Sequence, residues 1–324
     1  MLGQIRTSSE HTSSKTENVA RAWKQITCII NCKPKHKSKT FHNNNEVEYI
    51  DDWHLDSERR DFTINAIYLD INGKLFDPQG GKTDLKNNNV KFIGDPQKRI
   101  EEDYLRIIRF IRFKIIYDFK LEQTTINAIK LNLNGIKKIS KERILVELYK
   151  ILDLKNFINL NESIYLKEIF ILIFPELNNL KRLDRLLKIC NFSQISRVLL
   201  LAVLLIDDKN SHEYFGHKYN VSNNIKNSLN LLAKNLKLLK VNKDFLNKDL
   251  EKNIYFNDKN HLIDLSILNF VFNTKNKLDS FSENLKKILK SKTHKFKIDG
   301  KYLIDNGMSQ GAMMGKVLKK LEEE

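Results

Sequence analysis

Cysteine is scarce: only Cys28, Cys32 and Cys190 occur in 324 residues. That number is too small and too unpaired for a disulfide framework, so a reducing, cytoplasmic setting is expected. Cys28, Cys32 and His36 could be drawn as three metal ligands, yet no fourth partner follows at zinc-site spacing. A basic-then-apolar leader is also missing from the first residues, and the longest apolar run, Val198 to Ile206, is half of what a membrane span requires. That run reads as a buried helix, and no membrane partner is expected. No His-Asp pair occurs, which argues against an appended metal phosphohydrolase domain. Glycine is absent between Gly3 and Gly73, leucine between Leu2 and Leu55, and aspartate before Asp51.

What the chain does have is positive charge. Lys plus Arg number 56 against 40 Asp plus Glu, a formal net charge of +16. Such an excess suits a polyanionic partner, with nucleic acid the leading candidate, although a solvated basic surface would also produce it. The residues up to 45 are rich in Ser, Thr, Lys, His and Asn and hold few that could offset ordering entropy by burial. They are expected to be disordered or a non-native segment, with at most a short strand near Ile26 to Ile30.

From Glu46 the texture is that of a folded protein. Val47 to Ile50 suits a short strand, and Ile64 to Ile71 a strand or a helix turn leading into one. Asn72-Gly73 reads as a hairpin turn, Lys74 to Phe76 as the return strand, and Val90 to Ile93 as one more strand. After Pro96 the apolar spacing is helical throughout, predicting helices near 99–117, 122–132, 140–152, 162–173, 177–190, 193–206, 221–239 and 260–290. The expected class is α+β, a partial mixed α/β head over 46–98 followed by an all-α neck over 99–150 and body over 151–324.

Three blocks carry chemistry. The first is Arg59-Arg60-Asp61-Phe62-Thr63-Ile64-Asn65-Ala66, and the second is Asp77-Pro78-Gln79-Gly80-Gly81. The third runs from Glu102 through Asp103, Arg106 and Arg109 to Arg112. Guanidinium groups give planar bidentate contacts to phosphate, while Asn and Asp side chains read ribose and base edges. At about 100° per residue, Glu102, Arg106 and Arg109 share an arc with Asp103 and Arg112 on its flanks, opposite Ile107, Ile108 and Ile111. A solvated face laced with salt bridges would look similar. Against it, the arginines recur at every third position with no lysine, and Phe110 and Phe113 flank the charged side. Asn65 sits in an apolar run and needs buried partners, either a ligand or a turn. Gly80-Gly81 could equally end a hairpin.

In order and spacing these blocks resemble the bacterial-type, class II family of poly(A) polymerases and tRNA CCA-adding nucleotidyltransferases. The likeness continues in Ser140-Lys141-Glu142-Arg143-Ile144 with Glu147, and again from Asp299 through Gly315 to Leu318. It implies a nucleotidyltransferase head with helical neck and body, adding nucleotides to tRNA or mRNA 3′ ends without a template. Carried over, Arg60, Asp61 and Asn65 would contact ribose and triphosphate. Asp103 and Arg106 would read the base edge of ATP or CTP, oriented by Glu102, with Arg109 and Arg112 holding phosphate or bracing them. Asp77, Gly80 and Gly81 would shape the turn between head and neck.

The family's first motif pairs a Gly-Gly turn with two aspartates, one residue apart, that hold Mg²⁺. No such pair precedes Arg59, and the adjacent Asp51 and Asp52 would point to opposite faces of a strand. The Mg²⁺ ligands are therefore expected to be missing and catalysis by this chain impaired. A non-catalytic remnant or subunit, with the rest of the head on a separate polypeptide, is the alternative.

Overall fold

The computed structural model describes residues 37–38, 48–49, 52–70, 72–242, 245–246, 250–291 and 298–323. The strand expected near Ile26 to Ile30, and Cys28, Cys32 and His36, lie outside the described residues. Two compact units emerge: 1–181 with 213–222, and 182–212 with 223–324.

The first unit opens with β1 (Lys37–Ser38) paired antiparallel to β2 (Glu48–Tyr49), the latter inside the stretch expected to be a strand. Helix α1 (Trp53–Glu58) starts where the Asp52 side chain accepts the His54 N–H at 2.7 Å, an N-cap of the usual kind. A helical turn at Thr63–Asn65 then leads into β3 (Tyr68–Leu69), as Ile64 to Ile71 suggested. β3 pairs with β4 (Leu75–Phe76), Tyr68 opposite Phe76, across a turn in which Gly73 has φ +82°. The expected strand at Val90 to Ile93 is reduced to a single bridge between Phe62 and Phe92. After α2 (Gly81–Lys86) the unit is helical: α3 (Pro96–Glu102), α4 (Leu105–Tyr117), α5 (Gln123–Asn132), α6 (Lys141–Leu152), α7 (Ile164–Ile173) and α10 from Glu213 to Lys218.

The sequence predicts one helix over 99–117, but the structure has two. α3 begins at the Asp95 cap with Pro96 in its first turn and stops at Glu102. Asp103 is extended (φ −153°, ψ 102°), and its side chain accepts the Leu105 N–H at 3.1 Å at the start of α4. An aspartate at this point competes with the helix for a backbone donor, and here the competition ends one helix and opens the next. Asp103 therefore stands on a junction, outside any helical face.

α4 also buries more of its circumference than expected. Phe110 and Phe113 are 2 % and 4 % exposed and join Phe62, Phe92 and Phe119 in an aromatic cluster. They are core residues joining the segment around Phe62 and Phe92 to α4, so their place beside the arginines is no sign of a ligand site. A fully buried side chain of this kind contributes about 1.5–3 kcal/mol, which makes α4 the central strut of the unit.

The second unit contains α8 (Arg182–Leu186), α9 (Arg197–Leu205), α11 (Asn223–Val241), α12 (Leu250–Asn257), α13 (Lys259–Phe272), α14 (Leu278–Lys290), α15 (Gly300–Asp305) and α16 (Ala312–Glu323), with residues 211–212 of α10. The apolar run becomes α9, buried at every position from Leu199 to Leu205 and capped by Ser196. The single helix expected over 260–290 is broken after Phe272, where the Asn273 carboxamide accepts the Lys275 N–H at 3.1 Å. Asparagines that bond their own backbone make turns, and Arg185 secures this one by donating to the carbonyls of Phe270, Asn273 and Asn276. Among the described residues no helix is long and apolar enough to cross a membrane.

Asp264 on α13 gives this unit a pH signature. Burial pushes its carboxyl from 3.8 up to about 6. The folded state thus holds the proton more tightly than the unfolded chain, and the associated stability is present below pH 3.8 and lost as pH rises through about 6. With a discount for partial exposure, Asp264→Asn is expected to stabilise by about 1–2 kcal/mol at neutral pH and by almost nothing near pH 4. Urea unfolding at the two pH values checks this, and an equal gain at both would refute the burial argument.

Candidate nucleotide-selecting site

The first and third sequence blocks converge at the end of α1 and the junction of α3 with α4. Asp56, one turn before the arginine pair, accepts from Arg59 and from Arg60, the latter at 2.7 Å. Tyr68 donates its hydroxyl to the same carboxylate at 2.7 Å. Burial pushes the Asp56 carboxyl up, but hydrogen bonds from Arg60 and Tyr68 and the nearby charge hold it below the ordinary value. The Arg59 and Arg60 carbonyls face the other way and receive guanidinium donors from Arg106, at 3.3 Å, and from Arg99. This clasp fixes the first block against the third.

Below it lies a buried network. Asp61, 7 % exposed, accepts the Phe62 N–H at 3.0 Å, the Asn65 carboxamide at 2.8 Å and Arg109 Nε at 2.5 Å. Burial alone would raise the Asp61 carboxyl; Arg109 and these hydrogen bonds outweigh it and keep the group ionised. Asn65 thus finds its partner within the turn. Glu147 of α6, 3 % exposed, accepts from Arg112 at 2.9 Å and Lys150 at 2.8 Å, with Arg109 3.8 Å away. Its carboxyl too is held low against the pull of burial, by Lys150, Arg112 and Arg109.

At the more open rim, Glu102 accepts from Arg99 at 2.5 Å and from Arg106 at 2.6 Å, and Arg106 also donates to the Arg99 carbonyl at 2.5 Å. Burial is offset at Glu102 by both arginines, leaving its carboxyl below the usual range. Asp103 accepts from Arg143 at 2.7 Å. Arg59, Arg60, Arg99, Arg106, Arg109, Arg112 and Arg143 together outnumber the carboxylates Asp56, Asp61, Glu102, Asp103 and Glu147. The surplus is positive, as an anion-binding surface requires.

Asp77 and the two glycines form a different part of the head. Asp77 accepts the Gly81 and Lys82 N–H groups at 2.8 Å, and Gly80 has φ +69°. The pair opens α2, Gly80 as its N-cap and Gly81 as its first residue, and does not end a hairpin. Sequence reasoning assigned no role to Asp56, Arg99, Arg143 or Glu147. Their signal is helical spacing: Asp56 precedes Arg60 by four residues, and Arg143 precedes Glu147 by four, placing each pair on one face.

These carboxylates do not suit Mg²⁺. Each is already committed to a guanidinium, and no cluster of three or more His, Cys, Asp or Glu fit to hold a metal occurs among the described residues.

The poly A polymerase head domain family matches residues 3–91, a span that includes the compositionally distinct start of the chain. The family described as the probable RNA and SrmB-binding site of polymerase A matches residues 118–181. The mitochondrial CCA tRNA nucleotidyltransferase 1 of Homo sapiens is 49% identical over 110 residues, covering 33% of this chain and 25% of that protein. The CCA-adding enzyme of Ligilactobacillus salivarius is 45% identical over 111 residues, 34% of this chain and 28% of its own length. The chain thus spans about a quarter of the length of the curated relatives it matches. The fold is similar to that of the Bacillus stearothermophilus CCA-adding enzyme in complex with CTP (TM-score 0.58, 22% identity, 86% of this chain and 70% of that one). A Thermotoga maritima CCA-adding enzyme complexed with tRNA-CCA gives a TM-score of 0.54 at 25% identity, over 83% and 68% of the two chains. The RRDFTINA block lies within the head-domain match, and with the RNA-binding match and the CCA-adding relatives the chain is similar, over these segments, to poly(A) polymerases and tRNA CCA-adding nucleotidyltransferases.

Proposed function

We propose that this chain binds ATP or CTP at the α3–α4 junction and the 3′ end of an RNA, a tRNA above all, along its basic surface. The observation that carries this reading is that Asp103 and Arg106 stand within one turn of each other at the rim of an arginine-rich network, the Arg106 N–H donating to the Asp103 carbonyl at 3.0 Å. A carboxylate accepts from the exocyclic amine of adenine or cytosine, and a guanidinium donates to a ring nitrogen or carbonyl. Glu102 orients Arg106 through their 2.6 Å pair. Arg60 and Asn65 meet ribose and triphosphate, with Asp61, Arg109 and Arg112 bracing them from below. That the relatives are CCA-adding enzymes favours CCA addition over poly(A) addition, and the compartment is proposed to be the cytoplasm.

Catalysis by this chain alone is impaired in this reading, because no aspartate precedes Asp51. Purified chain given Mg²⁺, labelled nucleotide and a tRNA lacking its 3′ end is expected to bind ATP and CTP yet incorporate neither. Clear extension at modest protein concentration would show that the metal site is present after all. Asp103→Ala and Arg106→Ala should each weaken ATP and CTP binding by about tenfold, the worth of a hydrogen bond to a charged group; unchanged affinity would remove the template role. RNA binding should fall steeply with salt as released counterions cease to favour it. A second reading shares these binding properties: another polypeptide bearing an Asp-x-Asp strand completes the head, and adding it restores incorporation.

A further inference from the structure

The Asp103 carboxylate is held at both oxygens. Oδ1 accepts the Leu105 N–H at 3.1 Å and Oδ2 accepts Arg143 at 2.7 Å. Each carboxylate oxygen offers about two acceptor sites, so this double hold leaves one open at each. The backbone at Asp103 is extended and outside both helices, so side-chain partners decide where the carboxylate points. Arg143 is itself well placed to be a fixed partner. It lies in the first turn of α6, which Ser140 caps, and its neighbour Glu142 accepts from Asn220 at 2.8 Å. One turn further on, Glu147 takes Arg112. α6 therefore braces the selecting residues at two points of one face, Arg143 on Asp103 and Glu147 on Arg112 and Arg109.

We propose that Arg143 is a positioning residue for nucleotide selection, fixing the plane of the Asp103 carboxylate so that its open acceptor site faces the amine of the incoming base. This rests on the nucleotide-selecting role proposed for Asp103. As a stabilising contact the pair is weak, since the side chains are 49% and 33% exposed and screened by water. Its value is orientation, and orientation of one acceptor matters only to a base that brings a donor. Adenine and cytosine bring one; guanine and uracil present a carbonyl at the corresponding edge.

The test is equilibrium binding of ATP, CTP, GTP and UTP to the full chain and to R143A, R143K, D103A and the D103A/R143A pair. The intact chain should prefer ATP and CTP. R143A should weaken those two by about three- to fivefold, the upper range for a partly exposed pair, and leave GTP and UTP unchanged. R143K, which keeps the cation, should retain most of the preference. In the D103A background, R143A should change nothing further. Equal losses for all four nucleotides, or an undiminished loss on top of D103A, would overturn the proposal and leave Arg143 a structural contact. An intact chain with no preference for amine-bearing bases would sink the selecting role of Asp103 and this inference with it, a result seen before any variant is made.

Discussion

Asp61→Ala is expected to lower the unfolding free energy of the first unit by about 3–5 kcal/mol, the usual loss when one partner of a buried charge network is removed. The carboxylate takes three donors at once, and each would be left facing an empty space: the Phe62 N–H, the Asn65 carboxamide and Arg109. Arg109 keeps Glu147 at 3.8 Å, which places the expected loss nearer the lower bound. Asp61→Asn retains one acceptor but turns an amide toward the guanidinium, so it should fall between the wild type and alanine. The sign of the pH dependence follows from the lowered carboxyl. Its folded value lies below 3.8, so its stabilisation is complete above that pH and lost as pH falls through the folded value. Urea midpoints for the three proteins at neutral pH and near pH 3 check both parts. A loss under 1 kcal/mol for alanine, or a gap that stays constant down to pH 3, would show that the network contributes little net stability.

The RRDFTINA block was legible because its residue types are few and their uses limited: an ionised Asp61 beside arginines must be paired, and Asn65 in an apolar run must bond something nearby. Its position against Glu102 and Arg106 was not legible, since the clasp runs through the carbonyls of Arg59 and Arg60, which any residue possesses. Helical periodicity located α4 and failed at its start. A wheel drawn through Glu102 and Arg106 assumes continuity, whereas Asp103 uses its side chain to end it. The same short-range bonding by Asn273 split α13 from α14. Phe110 and Phe113 misled for another reason. Their partners Phe62 and Phe92 are distant in sequence, and only the folded head shows that α4 is wrapped by core on that side as well. The braces from α6 were present in the sequence as a motif, but their targets lie 35 and 40 residues away, beyond what spacing can assign.

Gly81→Ala should be among the most damaging single substitutions in the head, costing about 3 kcal/mol or more, while Gly80→Ala one residue earlier should cost about 1 kcal/mol. The two glycines are needed for different reasons. Gly80 has φ +69° and nothing within 4 Å of an added Cβ, so alanine there meets only the strain of a left-handed backbone. Gly81 has an ordinary φ, but an added Cβ would stand 2.1 Å from the Thr63 carbonyl oxygen, 2.7 Å from its carbon and 2.9 Å from Ile67. Two of those atoms are backbone and cannot rotate away, so α2 or the Thr63–Asn65 turn must move. Either shift strains the 2.8 Å bond from the Thr63 hydroxyl to buried Asp84. It also displaces Asn65, and through it the carboxylate of Asp61 and the grip on Arg109. A packing defect at the start of α2 should therefore be felt at the proposed nucleotide-selecting rim. Thermal unfolding of the two variants, with ATP affinity measured well below the transition, separates the effects: Gly80→Ala should bind like the wild type, and Gly81→Ala should bind several-fold more weakly where it folds at all. If Gly81→Ala proved as stable as Gly80→Ala, the close approach of α2 to Thr63 would have to be abandoned, and with it the route by which this turn supports the site.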